Sequence, residues 1–369
     1  MKNLNSIKNN SDKKKILFIL PSLKAGGAER VLSFLTKQLD KTFFDVKLIV
    51  LGFEKDAVYN TEFINVSYLN KKRFLYSLYP LIKVLRKEKP SIVFTSIGHI
   101  NLTMGFLSLF FRKIIFIARE ASVISKMSEF SSSKSKVLNF LTRFFYPKLN
   151  LIICQSKDMK NDFISFFNLD EKKLFVINNP ITLNEEPSKQ IIKTKYKSHI
   201  NFITIGRLNE EKGHKRILKG LATIKNYSFT YTLIGSGPLK NDVQNLAKEL
   251  NILENIKLIP YTSKVLNFLA VNDYFIQGSY VEGFPNTLLE SCSVGTPVIA
   301  FKCPGGTREI IQEKVNGYLV NNEDEFKKLL INLNDLPFLN SDIVKESVFS
   351  KFSSSKIISE YQKLFLNIK

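Results

Sequence analysis

Short apolar segments of strand length alternate with helical patterns along the first half of this chain. Each segment is nearly continuous in apolar residues, which is typical of a strand buried on both faces. Parallel strands need crossover helices of the kind that the intervening patterns predict. The alternation therefore predicts an α/β, Rossmann-like domain with a doubly wound parallel sheet. Its predicted strands are Lys14–Leu20, Val46–Leu51, Val66–Leu69, Ile92–Ser96, Ile114–Ala118 and Leu151–Gln155.

The same alternation begins again in the second half, after a stretch without clear periodicity. A chain of 369 residues is too long for one core. The stretch from Asn178 to Ser198 contains Pro180, Pro187 and several lysines, and we place the domain boundary there. We expect an N-terminal Rossmann-like domain over residues 1–180, a C-terminal one over 199–352 and a final helix over 353–369.

The charge balance is strongly basic. Lys and Arg number 54 against 33 Asp and Glu, a formal net charge of +21, which favours an acidic partner. Abundant Lys, Asn, Ile and Phe, as an AT-rich genome produces, account for part of this charge. A nucleic-acid binder should show a recognised module or a basic stripe with stacking aromatics, and neither is evident. We therefore expect no nucleic-acid partner.

No apolar run reaches the roughly 18 residues that a membrane-spanning helix needs. The nearest, Ile100–Phe111, is cut short by Arg112 and Lys113 and is predicted to be a buried helix. The lysine-rich N-terminus lacks the apolar core of a secretory signal, so we expect the protein to stay in the cytoplasm. The cysteines have no metal-ligand spacing and are predicted to be reduced and packed. They are Cys154, Cys292 and Cys303.

Two glutamates flank a predicted helix start in the second half, in the stretch Glu282-Gly-Phe-Pro285-Asn286-Thr-Leu-Leu-Glu290. Pro285 suits the first turn of a helix, and Asn286 and Thr287 can offer side-chain oxygens to its free amides. The amides and the positive end of the helix dipole favour a phosphate. Glu282 and Glu290 can each accept hydrogen bonds from sugar or ribose hydroxyls. An ordinary loop-to-helix junction with solvated glutamates is the alternative.

Glycine-rich turns follow two predicted strands at the end where open α/β sheets bind ligands. Gly26 and Gly27 follow the first strand, and Gly235 and Gly237 follow the segment Tyr231–Ile234. Glycines there allow the backbone amides to approach a phosphate or a base. A plain turn explains each pair equally well.

Two cations, Arg207 and Lys212, follow the predicted strand Ile200–Ile205. A leaving pyrophosphate needs positive charge, either from a metal held by carboxylates or from fixed side chains. No Asp-x-Asp motif follows a strand, and Glu323-Asp324-Glu325 opens a predicted helix, where acids complement the dipole. We expect no metal and no cofactor.

Polar residues also follow two strands of the first half. His99, which we expect to be catalytic, lies just past the predicted strand Ile92–Ser96, and Arg119 with Glu120 follows the next strand. We expect all three at the ligand-binding edge, with Arg119 and Glu120 able to contact an acceptor. A structural histidine and an internal ion pair are the alternatives.

The Glu282 to Glu290 stretch resembles the signature of family 4 of the retaining, nucleotide-sugar-dependent glycosyltransferases, commonly Glu-Gly-Phe-Pro-Asn-x-Leu-Leu-Glu. Gly26-Gly-Ala-Glu-Arg30 and Gly206-Arg-x4-Lys-Gly213 are similar to other segments of that family. The resemblance covers essentially the whole chain. It implies the GT-B fold, two Rossmann-like domains facing an interdomain cleft, with the terminal helix crossing back to the N-terminal domain.

The resemblance also implies roles for the candidate residues. Glu290 would bind the ribose, Arg207 and Lys212 the pyrophosphate, and Glu282 the sugar hydroxyls. Amides near Thr287 and Leu288 would add to the phosphate site. The implied reaction is transfer of a hexose or N-acetylhexosamine, with retention, from a nucleotide sugar, UDP-linked by expectation, to a lipid-linked oligosaccharide in surface-polysaccharide assembly. A nucleotide-sugar epimerase of the same fold is the alternative, and it would need carboxylate and histidine acid–base partners.

Two segments of the first half mix basic and aromatic residues, Lys71–Lys89 and Lys134–Lys148. We expect them to dock the protein peripherally on the anionic inner leaflet of the cell membrane. The alternative is that the aromatic side chains of the second segment pack inward, as stripes at helical spacing usually do. That stripe comprises Val137, Phe140, Leu141, Phe144 and Phe145, with Lys136, Asn139 and Arg143 on another side.

Overall fold

The chain divides into two units of α/β structure. The computed structural model describes residues 13–24, 26–59, 61–130, 134–182 and 198–368, with the backbone alone at 128, 134–136 and 138. The first unit comprises Met1–Ser125, Ser132–Thr182 and Ser354–Lys369, and the second comprises Lys126–Ser131 and Leu183–Ser353. Residues 183–197 of the predicted linker lie outside the described residues, as does the lysine-rich start of the chain.

The first unit is built on a parallel sheet. Its strands are β1 (Lys14–Leu20), β2 (Phe44–Val50), β3 (Asn65–Tyr68), β4 (Ile92–Ser96), β5 (Ile115–Arg119), β6 (Leu151–Cys154) and β7 (Leu174–Val176). Its helices are α1 (Gly27–Gln38), α2 (Phe74–Glu88), α3 (Gly98–Leu107), α4 (Ile124–Met127, shared with the second unit), α5 (Lys134–Phe145) and α6 (Lys157–Ser165). The strand order β3-β2-β1-β4-β5-β6-β7 is that of a doubly wound sheet, as predicted.

The strand order reverses between β1 and β4, which lie side by side at the centre of this sheet. Ile16 is paired with Val46 on one side and with Ile92 on the other. The residues from Ile16 to Leu20 are fully buried, as expected for a strand covered on both faces. The loops after β1 and β4 therefore flank the point where such sheets bind ligands.

The second unit repeats this architecture. Its strands are β8 (His199–Ile205), β9 (Ser228–Ile234), β10 (Ile256–Ile259), β11 (Tyr274–Gln277), β12 (Val298–Phe301) and β13 (Gly317–Val320). Its helices are α7 (His214–Leu221), α8 (Lys240–Glu249), α9 (Val265–Ala270), α10 (Asn286–Ser293), α11 (Thr307–Ile310), α12 (Glu323–Ile331) and α13 (Ser341–Phe352). The order β10-β9-β8-β11-β12-β13 places the reversal between β8 and β11.

The last helix, α14 (Ser354–Asn367), belongs to the core of the first unit. The ring of Phe365 lies 5.6 Å from that of Phe94 on β4 and 6.5 Å from that of Phe18 on β1. Lys14 donates from Nζ to the carbonyl oxygens of Phe365, Leu366 and Ile368 at 3.0, 3.0 and 2.6 Å. These carbonyls have no partner inside the helix, so the lysine caps its C-terminal end.

Two local predictions have different outcomes. Helix α12 begins at the acidic triplet, and Asn322 caps it by accepting from the amides of Asp324 at 3.1 Å and Glu325 at 2.9 Å, which confirms the predicted helix start. The prediction of a buried helix over Ile100–Phe111 is wrong at its end. Helix α3 stops at Leu107, and Phe110 is 67 % exposed because the chain turns away from the sheet there.

Two further features concern thiols and membranes. Cys154, Cys292 and Cys303 are free and buried, as predicted. Within the part of the chain that the structure describes, no helix combines the length and the apolar composition needed to cross a membrane.

Candidate functional site

Loops that follow three strands of the second sheet are tied together at its carboxyl edge. The amide of Tyr280, after β11, donates to the carbonyl of Glu211, after β8, at 2.8 Å. The amide of Glu282 donates to the carbonyl of Pro304, after β12, at 3.0 Å. These backbone bonds fix the loops that carry the predicted donor-binding residues.

Two glycines allow these loops to touch. Gly213 has a φ of +63°, and a Cβ on it would lie 1.8 Å from the carbonyl oxygen of Gly278. Gly305 has a φ of +119°, and its Cβ would lie 2.0 Å from the carbonyl oxygen of Glu282. Any larger residue would push the loops apart, so both positions need glycine.

Lys212 and Glu282, predicted catalytic residues 70 positions apart, meet at this edge. The Lys212 Nζ donates to Glu282 Oε1 at 2.7 Å, and the side chains are 23 % and 12 % exposed. A charge-assisted hydrogen bond in such a sheltered place is stronger than one on the open surface. The structure therefore places a cation and a carboxylate in direct contact beside the loop that leads to α10.

The same carboxylate oxygen accepts two further hydrogen bonds. Ser279 Oγ donates to Glu282 Oε1 at 2.5 Å, and Gln277 Nε2 donates at 3.4 Å. Gln277 is itself held, because its Oε1 accepts from Thr307 Oγ1 at 3.0 Å. Residues of the β11 and β12 loops thus fix the position of the Glu282 carboxylate.

Helix α10 presents the second glutamate. Glu290 is 6 % exposed and lies one turn inside the helix. Pro285 is the residue before the helix rather than its first residue, a difference of one position from the prediction. Asn286 and Thr287 form the first turn and are partly exposed. The Leu288 amide donates to the Pro285 carbonyl at 3.1 Å, and its expected contact with a phosphate stays a prediction.

Arg207, the other predicted catalytic cation, has an exposed side chain on a fixed backbone. Its side chain is 73 % exposed, with Nη2 3.8 Å from Glu211 Oε1. Its carbonyl oxygen lies 2.8 Å from Nε2 of His214, a buried residue. A carbonyl can only accept, so Nε2 carries the proton, and burial lowers the pKa of His214 and favours the neutral ring. The backbone is held while the guanidinium stays accessible.

Gly235 and Gly237 have a structural use. The Gly235 amide donates to the Ile259 carbonyl at 2.9 Å, and the expected place of this turn beside a bound base stays a prediction. A Cβ on Gly235 would lie 1.9 Å from the Gly206 oxygen, and one on Gly237 would lie 2.5 Å from the Leu208 oxygen. These glycines let the loops after β8 and β9 pack against each other.

Gly26 and Gly27, predicted at a phosphate, lie at the carboxyl edge of the first sheet. The Gly26 amide donates to the Tyr59 hydroxyl at 2.9 Å, and that hydroxyl donates to the Gly26 carbonyl at 2.8 Å. Its amide therefore has a partner within the first unit, and the expected phosphate contact at this residue stays a prediction. Gly27 begins α1.

His99 lies at the same edge, as the second residue of α3, and its side chain is exposed. The edge of its ring meets Phe74, with centroids 5.2 Å apart, and partial burial lowers the pKa of His99. Ile97, two residues earlier, has a φ of +99°, which a β-branched residue adopts only when its surroundings force it. A strained turn therefore sets the direction of the histidine.

Arg119 is fully buried in the first unit. Its Nε donates to the Tyr361 hydroxyl at 3.2 Å, Nη1 donates to Ser96 Oγ at 3.3 Å, and Nη2 donates to Asn179 Oδ1. The predicted contact with an acceptor is wrong for this side chain, because its donors are used inside the core. Arg119 instead bonds α14 to the sheet.

Glu120 is also buried, with 3 % of its surface exposed. One carboxylate oxygen accepts from the Tyr146 hydroxyl at 2.6 Å and from Asn101 Nδ2 at 3.3 Å. Burial raises the pKa of Glu120. Arg119 and Glu120 therefore have different hydrogen-bond partners. Both have a structural role inside the first unit in place of the predicted acceptor contact.

The sequence reasoning missed four residues that the structure places at the second edge. Gln277 carries a usable signal, because it is the polar last residue of a buried strand, the same rule that selected His99. The others are Ser279, Thr307 and Arg216, which local patterns do not separate from surface residues.

Comparisons with known proteins agree with this fold. The sequence profile of "Glycosyltransferase Family 4" matches residues 25–185, and that of "Glycosyl transferases group 1" matches residues 185–347. An uncharacterized glycosyltransferase of Methanocaldococcus jannaschii is 29 % identical over 258 residues, covering 66 % of this chain and 63 % of that protein.

A Campylobacter jejuni protein is 27 % identical over 325 residues, 84 % of this chain and 87 % of that one. It is named N-acetylgalactosamine-N,N'-diacetylbacillosaminyl-diphospho-undecaprenol 4-alpha-N-acetylgalactosaminyltransferase. Among solved structures, Anabaena HepE in complex with UDP-glucose has a TM-score of 0.78 at 18 % identity, covering 96 % of this chain and 100 % of that one.

Two Rossmann-like parallel-sheet units with these likenesses define a glycosyltransferase of the GT-B fold. The chain belongs to the family 4 glycosyltransferases.

Proposed function

We propose that this protein transfers a hexose or N-acetylhexosamine from a UDP-sugar, with retention of anomeric configuration, to a lipid-linked glycan in cell-surface polysaccharide biosynthesis. The observation that carries the proposal is the 2.7 Å contact between Lys212 Nζ and Glu282 Oε1. It brings a cation suited to a leaving phosphate and a carboxylate suited to sugar hydroxyls to one place at the edge of the second sheet.

Each residue of the site has a proposed role. Arg207 and Lys212 bind the diphosphate, Glu282 accepts from hydroxyls of the sugar, and Glu290 accepts from the ribose. A bound donor exchanges the contact between Lys212 and Glu282 for contacts with its own phosphate and hydroxyls. The hydrogen bonds from Ser279 and Gln277 then hold Glu282 at the sugar.

The proposed reaction proceeds on one face of the sugar. The bond from C1 to the β-phosphate oxygen breaks, and the acceptor oxygen forms its bond to C1 from the same side. The acceptor hydroxyl gives its proton to the leaving phosphate oxygen, so the protein supplies no nucleophile. Lys212 and Arg207 stabilise the negative charge that develops on the diphosphate.

The comparisons support the choice of donor and acceptor. The name of the Campylobacter relative specifies a diphospho-undecaprenol acceptor and an alpha linkage, and the HepE structure contains UDP-glucose. Purified protein should therefore release UDP from one of UDP-glucose, UDP-galactose, UDP-N-acetylglucosamine or UDP-N-acetylgalactosamine when an undecaprenyl-diphosphate glycan is added. The glycosidic product should carry the alpha anomer by NMR. A change of the donor into its epimer without an acceptor would instead identify an epimerase, and inactivity with the whole panel would contradict the proposal.

We also propose that the reaction needs no metal, because Arg207 and Lys212 supply the positive charge that a divalent ion would otherwise give. EDTA should leave the initial rate unchanged. A strict requirement for Mg²⁺ or Mn²⁺ in the chemical step would contradict this assignment.

Peripheral docking on the inner leaflet is the remaining part of the proposal. Phe140 is 68 % and Phe144 55 % exposed, which contradicts the alternative that these two rings pack inward. Phe106 and Phe110 at the end of α3 adjoin them through Phe145, whose ring lies 5.9 Å from Phe106. On α2 the exposed side chains Leu75, Tyr76 and Tyr79 accompany the basic segment Lys71–Lys89. Exposed aromatics beside cations suit an anionic lipid surface.

Liposome co-sedimentation tests this docking. Wild type should bind phosphatidylglycerol-containing vesicles but not neutral ones, and 0.5 M salt, about three times physiological ionic strength, should weaken binding. Phe140→Ser with Phe144→Ser should abolish binding, whereas Phe338→Ser, an exposed phenylalanine of the second unit, should not. Equal binding by the double variant and wild type would exclude this surface.

A further inference from the structure

Arg216, the third residue of α7, is enclosed in the second unit although it carries a charge. Its side chain is 9 % exposed. The guanidinium carbon lies 3.7 Å from the ring centroid of Phe301 and 4.0 Å from that of Tyr280. A planar guanidinium stacks favourably on aromatic rings, so these two contacts fix its position.

The hydrogen bonds of Arg216 go to the backbone. Its Nε donates to the Gly278 carbonyl oxygen at 2.7 Å, and Nη2 donates to the Ser279 carbonyl oxygen. Gly278 and Ser279 are the first two residues after β11. One side chain therefore fixes two consecutive peptide groups at the start of the loop that carries Glu282.

Holding a cation in this place is costly for the fold. Burial lowers the pKa of Arg216, which shows that its environment disfavours the charged form. A methionine of similar length would fill the space between two rings without that desolvation. The reason for an arginine must therefore lie in the bonds that only its fork of donors can make.

Those bonds lead directly to the proposed catalytic pair. Ser279, whose carbonyl Arg216 holds, donates through Oγ to Glu282 Oε1 at 2.5 Å. Lys212, which donates to the same oxygen, lies just before the helix that carries Arg216. Arg216 thus connects the loop of the cation with the loop of the carboxylate.

We propose that Arg216 is a positioning residue, which fixes the Gly278 and Ser279 carbonyls and so holds the Glu282 carboxylate at Lys212. The positioning of Glu282 by Arg216 is inferred from the contacts alone. Its effect on the rate rests on the proposed function of Glu282 and Lys212.

The test compares Arg216→Met, which removes the donors, with Lys219→Met, which removes a charge from an exposed position of the same helix. The assay measures UDP release from the UDP-sugar that wild type uses. Arg216→Met should lower kcat about 10- to 100-fold, because a displacement of the Glu282 carboxylate by about 1 Å has such an effect. KM, and the Kd for UDP by calorimetry, should change less than about threefold, since Arg207, Lys212 and Glu290 remain. Lys219→Met should match wild type in all three.

Two further measurements separate positioning from folding. In a Glu282→Gln background, Arg216→Met should lower kcat much less than in wild type, because both act through one carboxylate. A crystal structure of Arg216→Met should show the distance from Lys212 Nζ to Glu282 Oε1 beyond hydrogen-bond range. If Arg216→Met does not fold, Arg216→Lys, which keeps the charge but not the fork, should show the same fall in kcat at an unchanged Kd.

The inference is overturned by a normal kcat in folded Arg216→Met, by an equal fall in both backgrounds, or by an unchanged contact between Lys212 and Glu282 in the variant crystal. Normal turnover in Glu282→Gln is a separate result. It would refute the proposed function of Glu282, while the crystal structure would still decide whether Arg216 positions the carboxylate.

Discussion

The carboxyl edges of the two sheets use charged residues in opposite ways. At the first edge Arg119 and Glu120 point into the core, and each has several polar partners there. At the second edge Lys212 and Glu282 meet where they remain partly accessible, and Arg207 is mostly exposed. Two related architectures thus place charged residues at the carboxyl ends of their strands, in the first unit to hold the core together and in the second within reach of a ligand.

The difference shows that a charged residue just after a strand lies at the ligand-binding edge but does not for that reason bind a ligand. A fully buried guanidinium is held by fixed hydrogen bonds and binds α14 to the first sheet through Tyr361. A sheltered but reachable ammonium can exchange its carboxylate partner for a phosphate. Substitutions at the first edge should therefore change stability, and those at the second should change catalysis.

The largest expected effect is at the second edge. Lys212→Ala and Glu282→Ala should each lower kcat about 10²- to 10³-fold, or about 2.7–4 kcal/mol in the activation free energy, because they remove stabilisation of the transition state. Glu290→Ala should chiefly raise the Kd for UDP. Steady-state UDP release and calorimetry measure these changes, with Lys219→Ala as an exposed control on α7. Near-normal turnover of Glu282→Ala with every active donor would refute its assignment to the sugar.

At the first edge, Arg119→Met should lower the free energy of unfolding by about 3 kcal/mol. The buried Tyr361 and Asn179 lose a hydrogen-bond partner, and unsatisfied buried groups are costly. Urea unfolding followed by circular dichroism measures this, since the chain has no tryptophan. Arg112→Met, an exposed arginine of the same unit, should leave the midpoint unchanged. A large fall in kcat with normal stability in Arg119→Met would contradict the view that the first edge serves stability and the second serves catalysis.

A third prediction concerns an ion pair away from both carboxyl edges. Lys15 and Lys47 hold the pKa of Glu88 at about 2, below its ordinary value of 4.5. The stabilisation is therefore complete above pH 4.5 and is lost as the pH falls toward 2. Glu88→Gln should lower the free energy of unfolding by about 2 kcal/mol at pH 7, and the gap to wild type should close at pH 2. A gap that is independent of pH would show that the charge does not matter.

The smallest expected effect sharpens the account of Arg119. Tyr361→Phe removes one acceptor of its guanidinium and keeps the ring in the core, so it should lower the free energy of unfolding by about 1 kcal/mol. In an Arg119→Met background the same substitution should have almost no effect, because the hydrogen bond is already absent. Additive losses in the urea midpoints would show that Tyr361 and Arg119 act independently.

Much of the fold could be predicted because it depends on local periodicity. β1 and β4 have their predicted bounds, and the other predicted strands differ by one to three residues at an end, since apolar runs between polar turns identify buried strands. The same signal failed for Ile100–Phe111, where an apolar stretch leaves the core at Leu107. Local hydrophobicity does not show where a chain turns away from its sheet.

The sequence by itself determined the two α/β units, the turn residues at the strand ends and the spacing of Glu282 and Glu290. It also placed charged or polar residues after the strands, because the ends of parallel strands are exposed to loops and ligands. Only the tertiary structure decided which of them are enclosed. The local sequences of Arg119, Arg207 and Arg216 do not show how far each is enclosed, yet one is buried in a core, one is exposed and one is stacked between two rings. Their surroundings come from segments far away in the chain, such as α14 and the loop after β11, and burial sets whether a charge is a structural link or a binding group.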